Sequence, residues 1–208
     1  PNPFYQIYEG AALLAGAEPY FLNTVADNHY RMDFEAVPAD IWQRTQMVYL
    51  CSPGNPTGAV TRHADYARLI ALAQRYDFVI ASDECYSEIY TRHAPAGMLE
   101  AAGPDFANVV EFQSLSKRSN LPGLRIGFAA GDRKFLARFL ELRNVSAPQV
   151  PLPAQRVAIA AYGDDAVAGW AIIGRIMPVA FGTIYALSSS IGPIIGQNYG
   201  ARQGGRPI

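Results

Sequence analysis

The chain has 208 residues, half of them apolar, enough for one ordinary domain or one and a fraction around a sizeable core. Its 17 basic residues nearly balance 18 acidic ones, and with a formal charge of -1 and no basic run, neither nucleic acid nor an anionic surface is expected as a partner. Cys51 and Cys85 lack metal-ligand spacing and each closes a strand-like run, so they read as free buried thiols in a reducing compartment. Pro1 opens the sequence without the charged and apolar regions of a signal peptide, and none is expected.

Pro3-Phe4-Tyr5 leads into Ile7 to Ala15, whose apolar spacing predicts a short helix stopped by Gly16. Glu18 to Leu22 reads as a strand. Asp33 to Thr45 reads as a helix interrupted by Pro38, and Met47 to Cys51 is a continuous apolar run of the interior-strand kind. That run enters Ser52-Pro53-Gly54-Asn55-Pro56-Thr57-Gly58, where two prolines and two glycines in seven residues fix a rigid turn able to hold one amide side chain in place. Such a turn serves structure more often than function.

Arg62 to Tyr76 carries Ala64, Ala67, Leu69, Ile70 and Ala73 at helical spacing, and Phe78 to Ser82 follows as a second buried strand. Strand, helix, strand at this spacing indicates a parallel α/β sheet, whose ligands collect at the carboxyl ends of strands. Asp83-Glu84 falls at such an end. An apolar run followed by Asp-Glu also resembles the Walker B segment of ATPases, but the chain has no phosphate loop with Gly-Lys-Ser/Thr, and that reading falls.

Gly103 to Asn108 reads as a turn, after which the strand-like run from Val109 ends in Ser114-Leu115-Ser116-Lys117. A Pro122-Gly123 turn precedes a further strand-like run that opens on Arg125. One amine is thereby delivered to a strand end. Lysine is a surface residue in most settings, yet hydroxyls three and one residues before this one and an arginine eight after it can meet an anion. Lysine beside an anion site suggests a phosphorylated aldehyde held as an imine. Asp132 to Asn144 predicts a helix with Phe135, Leu136, Phe139 and Leu140 on one face, Ala147 to Pro153 an extended stretch, and Ala154 to Tyr162 a short helix. His29, His63 and His93 pair with no nucleophile or metal cluster and read as surface or core histidines.

Three stretches, Ser52 to Gly58, Ser82-Asp83-Glu84-Cys85-Tyr86, and Ser114 to Lys117 with Arg125-Ile126-Gly127, stand in the order and spacing of motifs of the fold-type I, class I and II aminotransferases. Over residues 1–165 the chain resembles part of the large, pyridoxal phosphate (PLP)-binding domain of that family. In Pro1 to Leu22 and Cys51 to Gly58 it is most similar to the bacterial N-succinyldiaminopimelate aminotransferases of lysine and cell-wall biosynthesis. The resemblance implies a three-layer α/β/α fold with a mainly parallel sheet, a cytoplasmic homodimer, PLP as cofactor, and amino-group transfer between glutamate and a keto acid. It gives Lys117 the imine with the cofactor and the later proton movement between the substrate Cα and the cofactor C4′ carbon. It places Asp83 against the pyridine nitrogen, which the carboxylate keeps protonated, and has Asn55 and Tyr86 donate to the phenolic oxygen. Ser114 and Arg125 would bind the 5′-phosphate, and Tyr5, which the residues alone assign to the core, would stack on the ring. Ser116 stays unassigned, and Arg118 reads as a solvated charge ahead of a phosphate ligand.

The likeness ends near Asp165. Ile176 to Gly196 is an uncharged run as long as a transmembrane span, and with Gly192 to Ala201 it resembles one helix and loop of the multidrug and toxin extrusion (MATE) transporters. Residues 166–208 are therefore expected to form an apolar helical segment fused to an aminotransferase fragment, with membrane contact only there. The resemblance also implies that the family's N-terminal segment and second domain are missing, which leaves Lys117 less buried and a poorer imine former. A transporter fragment and a non-catalytic remnant are the alternative readings.

Overall fold

The structure, a computed structural model, describes residues 1–147 and 149–162. Apolar runs rich in Val, Ile and Phe between polar turns form the strands β1 (Met47–Cys51), β2 (Val79–Asp83) and β3 (Val109–Ser114), with β4 (Gly127–Gly131) beside β3. The sheet order is β1-β2-β3-β4, parallel from β1 to β3 and antiparallel between β3 and β4. In register, Cys51 lies opposite Asp83, Asp83 opposite Phe112, and Ser114 opposite Gly127. The carboxyl ends of three strands and the amino end of the fourth thus share one edge.

Helix α1 (Ile7–Leu14) precedes the sheet, and the short α2 (Ala39–Arg44) leads into β1. The crossover from β1 to β2 is α3 (His63–Tyr76), which buries Tyr66, Leu69, Ile70 and Ala73 on one stripe, as its apolar period requires. It ends at Asp77, left-handed at φ +57°, whose N–H bonds back to Ala73. The one-turn helix α4 (Met98–Ala101) lies between β2 and β3. Another single turn, α5 (Leu115–Arg118), and a 3-10 turn at Pro122–Leu124 reverse the chain into β4. Asp132 caps α6 (Arg133–Ser146) by accepting from the N–H groups of Lys134 and Phe135. Helix α7 (Leu152–Tyr162) closes the described chain.

Because strand side chains alternate, the two sheet faces have different partners. Leu50, Ile80 and Val109 pack with Tyr66, Leu69, Phe78, Trp42 and Met98 in the main core under α3 and α4. The other face carries Tyr49, stacked on Tyr8 of α1 at 5.0 Å, and Phe112, edge-on to Phe139 of α6 at 6.2 Å. A second, smaller cluster joins Leu115 and Ile126 to Ala158 of α7.

Several expectations need correcting. Glu18 to Leu22 is not a strand: only an isolated bridge joins Asn2 to Asn23, Pro19 has no N–H to give, and the Leu22 carbonyl is taken by the Asn2 N–H at 2.8 Å. Asp33 to Thr45 is a 3-10 turn at Phe34–Ala36 and then α2, because Pro38 forces Val37 into extended backbone. Lys117 sits on the helical turn that directly follows β3. Pro153 enters the first turn of α7, where its missing N–H costs nothing, so the extended stretch ends before Leu152. His29, His63 and His93 are all exposed, and the described residues hold no metal-ligand cluster. The junction near Asp165 and the apolar run Ile176 to Gly196 lie outside the described residues.

Candidate active site

Asp83, the last residue of β2, is 7% exposed. Its Oδ2 accepts from the Tyr8 hydroxyl at 2.6 Å and its Oδ1 from the Cys85 N–H at 3.1 Å. Two donors hold the carboxylate in one orientation. Burial first, and then the Asp83 charge, push the Tyr8 phenol far above its ordinary range, so Tyr8 remains a proton donor. The Tyr5 ring stands edge-on to Tyr8 at 6.0 Å, one helical turn earlier.

Sequence reading missed Tyr8. The three-residue spacing from Tyr5 was its one available signal, whereas its bond to Asp83 spans 75 positions and comes from docking α1 on the sheet. Tyr8→Phe keeps the stack on Tyr49 but strips a buried carboxylate of its nearest donor. It is expected to cost about 1–3 kcal/mol of stability, read as a lower urea midpoint at unchanged m.

Three residues beyond Asp83, Tyr86 is half-buried and lies in reach of several polar groups. Its phenol is raised by burial first, then by Cys51, Asp83, Cys85 and Tyr5. The Lys117 ammonium stands 5.9 Å from the centre of the Tyr86 ring, within cation-π range. Tyr86 is thus the link between the amine of α5 and the acid of β2. Lys117 itself is exposed.

Asn55 follows β1 in the Ser52 to Gly58 turn, which is pinned by the Gly54 N–H to Ala59 O at 2.8 Å and the Thr61 N–H to Ser52 Oγ at 2.9 Å. The Cys51 thiol donates to Pro53 O at 3.3 Å, and burial ahead of the Asp83 charge raises it to about 12, so it stays protonated. Both cysteines are free. Ser114 Oγ, at the end of β3, accepts from the Ser116 N–H at 3.1 Å and donates to Ser116 Oγ at 3.0 Å. Arg125 is exposed and left-handed at φ +52°, and its Nη1 donates to Pro122 O at 2.8 Å. The Tyr86 phenol feels the Asp83 charge and its ring meets the Lys117 amine, while the Arg125 guanidinium is turned onto its own loop. A cavity of about 50 Å³ reaches Asn55, Cys51 and Tyr8, and an apolar groove of about 620 Å³ runs between α1 and β1; Lys117 lines neither.

Glu84 points to the opposite face. It is 2% exposed, and its Oε1 accepts from the Ser82 hydroxyl at 2.8 Å and the Met98 N–H at 2.9 Å. Burial, and then the neighbouring Glu111, raise its carboxyl from 4.5 to about 8, and burial also raises Glu111. The folded protein therefore keeps a proton that the unfolded chain gives up above pH 4.5. The stabilisation is complete below that pH and is lost, by up to about 1.4 kcal/mol per pH unit, as pH rises to about 8. Glu84→Gln retains an acceptor for Ser82 and Met98, and is expected to flatten the urea midpoint against pH between 4.5 and 8.

A mostly parallel sheet with an amine, an acid, an amide and a phenol at the carboxyl ends of its strands is a ligand-binding α/β domain. The profile of aminotransferases class I and II matches residues 1–170, and the chain belongs to that PLP-dependent family. The match runs past Asp165, where the motif resemblance was expected to end. An aminotransferase structure from Neisseria meningitidis is 46% identical with a TM-score of 0.74, over 79% of this chain and 43% of that one. A probable N-succinyldiaminopimelate aminotransferase from Thermus thermophilus is 30% identical with a TM-score of 0.70, over 81% of this chain and 45% of that one. The LL-diaminopimelate aminotransferase of Syntrophobacter fumaroxidans is 37% identical over 69% of this chain and 37% of its own length. The chain thus spans less than half the length of these relatives. These comparisons lend the transporter likeness of residues 166–208 no support, and no described helix is long and apolar enough to cross a membrane.

Proposed function

We propose that this chain is the cofactor-binding part of a transaminase of the diaminopimelate branch of lysine biosynthesis, moving an amino group between glutamate and a keto acid of that branch. The observation that carries the reading is the Lys117 amine over the ring of Tyr86, three residues from the doubly bonded Asp83 carboxylate. The donor set fits PLP: an amine for its aldehyde, a buried anion for its ring nitrogen, and an amide and a phenol for its phenolic oxygen. When bound, PLP supplies an aldehyde that condenses with amines and a protonated ring that withdraws electrons from the adjoining carbon.

Asp83 would face the ring nitrogen and favour a proton there, and Tyr8 and the Cys85 N–H keep the Asp83 carboxylate aimed. Asn55 and Tyr86 would donate to the phenolic oxygen, and Tyr5 would pack on the ring. Ser114 and Arg125 would hold the phosphate, for which Arg125 would have to leave the Pro122 carbonyl. Lys117 Nζ would hold the aldehyde and would serve as the base that takes the proton from the substrate Cα. The substrate assignment is supported by the names of the relatives, LL-diaminopimelate and N-succinyldiaminopimelate aminotransferases.

The test is borohydride reduction after PLP addition, followed by peptide mass spectrometry. A pyridoxyl group on Lys117 is expected, and a label absent from Lys117 overturns the reading. Glutamate added before borohydride should diminish that label, and N-succinylated against free keto acid should then decide which form restores it.

A further inference from the structure

Arg118 has no role in the chemistry above, and its sequence position suggests a solvated charge, yet its side chain is only 22% exposed. Its Nη1 donates to the Ala161 carbonyl in the last turn of α7 at 2.7 Å, and its Nε stands 3.6 Å from Glu88 Oε1. The contact joins α5 to α7 across 43 positions. Leu115 and Ile126 pack against Ala158 along the same seam. One guanidinium therefore ties together α5, the loop after β2 and α7.

Both anchored segments carry a member of the amine-ring pair. Lys117 immediately precedes Arg118 on a helix of four residues, too short to hold its own orientation. Tyr86 lies two residues before Glu88. We infer that Arg118 is a positioning residue: by fastening α5 to the Glu88 loop and to α7 it sets the Lys117 amine over the Tyr86 ring. The inference depends on the transaminase reading only for the use made of that amine. A planar fork meets both acceptors at once, whereas a lysine ammonium is a compact point charge.

Lysine occurs only at positions 117 and 134, so reductive methylation with 13C-formaldehyde, without PLP, gives two lysine methyl signals in the NMR spectrum. The Lys117 signal of the unsubstituted protein is expected to be displaced upfield by the Tyr86 ring and to lose that displacement in Tyr86→Leu. Arg118→Ala should remove more than half of it while the Lys134 signal, in the first turn of α6, stays in place. Glu88→Gln cuts only the loop anchor and should give a smaller loss in the same direction. A folded Arg118→Ala protein with the Lys117 signal unmoved overturns the inference, and if that variant does not fold, an unmoved signal in Glu88→Gln does so. Failure of PLP capture by the unsubstituted protein, with these shifts intact, would sink the transaminase reading and leave the positioning role standing.

Discussion

Lys117→Arg is expected to abolish covalent capture of PLP altogether, an all-or-none loss, while stability changes by less than about 0.5 kcal/mol. The charge over the Tyr86 ring is retained by arginine, but a guanidinium does not condense with an aldehyde under these conditions, so the variant separates imine chemistry from electrostatics. The remaining lysine, Lys134, lies in the first turn of α6 beside the Asp132 cap. Nothing there offers a buried acid behind the amine. The measurement is the pyridoxyl mass on tryptic peptides after borohydride, with urea midpoints of both proteins for the stability half. Label persisting elsewhere at the original yield would mean that capture never depended on the strand-end amine.

Gly131→Ala should be the most damaging single methyl in the described fold. Gly131 ends β4 at φ +136°, a conformation side chains rarely adopt, and an added Cβ would collide with the Val109 carbonyl oxygen, 2.9 Å from its carbon and 3.0 Å from Val110 Cα. These are backbone atoms of the neighbouring strand, held in register where Gly131 faces Val110 and the Asp132 N–H bonds to Val109 O at 2.7 Å. They cannot swing aside as a side chain would. A loss on the order of 4 kcal/mol or more is expected, read as a fall in Tm of roughly 10 °C or more, or as no folded protein at all. Gly10→Ala is the matched control: nothing lies within 4 Å of its added Cβ inside α1, and helix propensity should make it neutral or stabilising by up to about 1 kcal/mol. Similar effects at both glycines would contradict the β3–β4 packing.

What local pattern governs was legible in the chain itself. The run Met47 to Cys51 does form a strand, though at the edge of the described sheet and with only Leu50 buried; of the stripe read along α3, Leu69, Ile70 and Ala73 are buried while Ala64 and Ala67 are exposed and Tyr66 takes their place, and parallel pairing of the flanking strands follows from the helix between them. The three motifs that mark the aminotransferase family are contiguous, so the family and its PLP were readable without coordinates. Where a segment depends on a neighbour to pair with, pattern gave too much: Glu18 to Leu22 has strand composition but no strand alongside it. Arg118 was misjudged for the converse reason, because its two acceptors come from Glu88 and from Ala161, 43 positions away.

Sequence alone determined which residue types stand at the strand ends, because an amine, an acid and an amide at fixed places in short motifs are covalent facts. Tertiary structure decided how they are held: Tyr8 on Asp83, Lys117 over Tyr86, and Arg118 between two distant segments. A hydrogen bond across 75 positions leaves no local signature, since it forms only when burial of α1 against the sheet brings donor to acceptor.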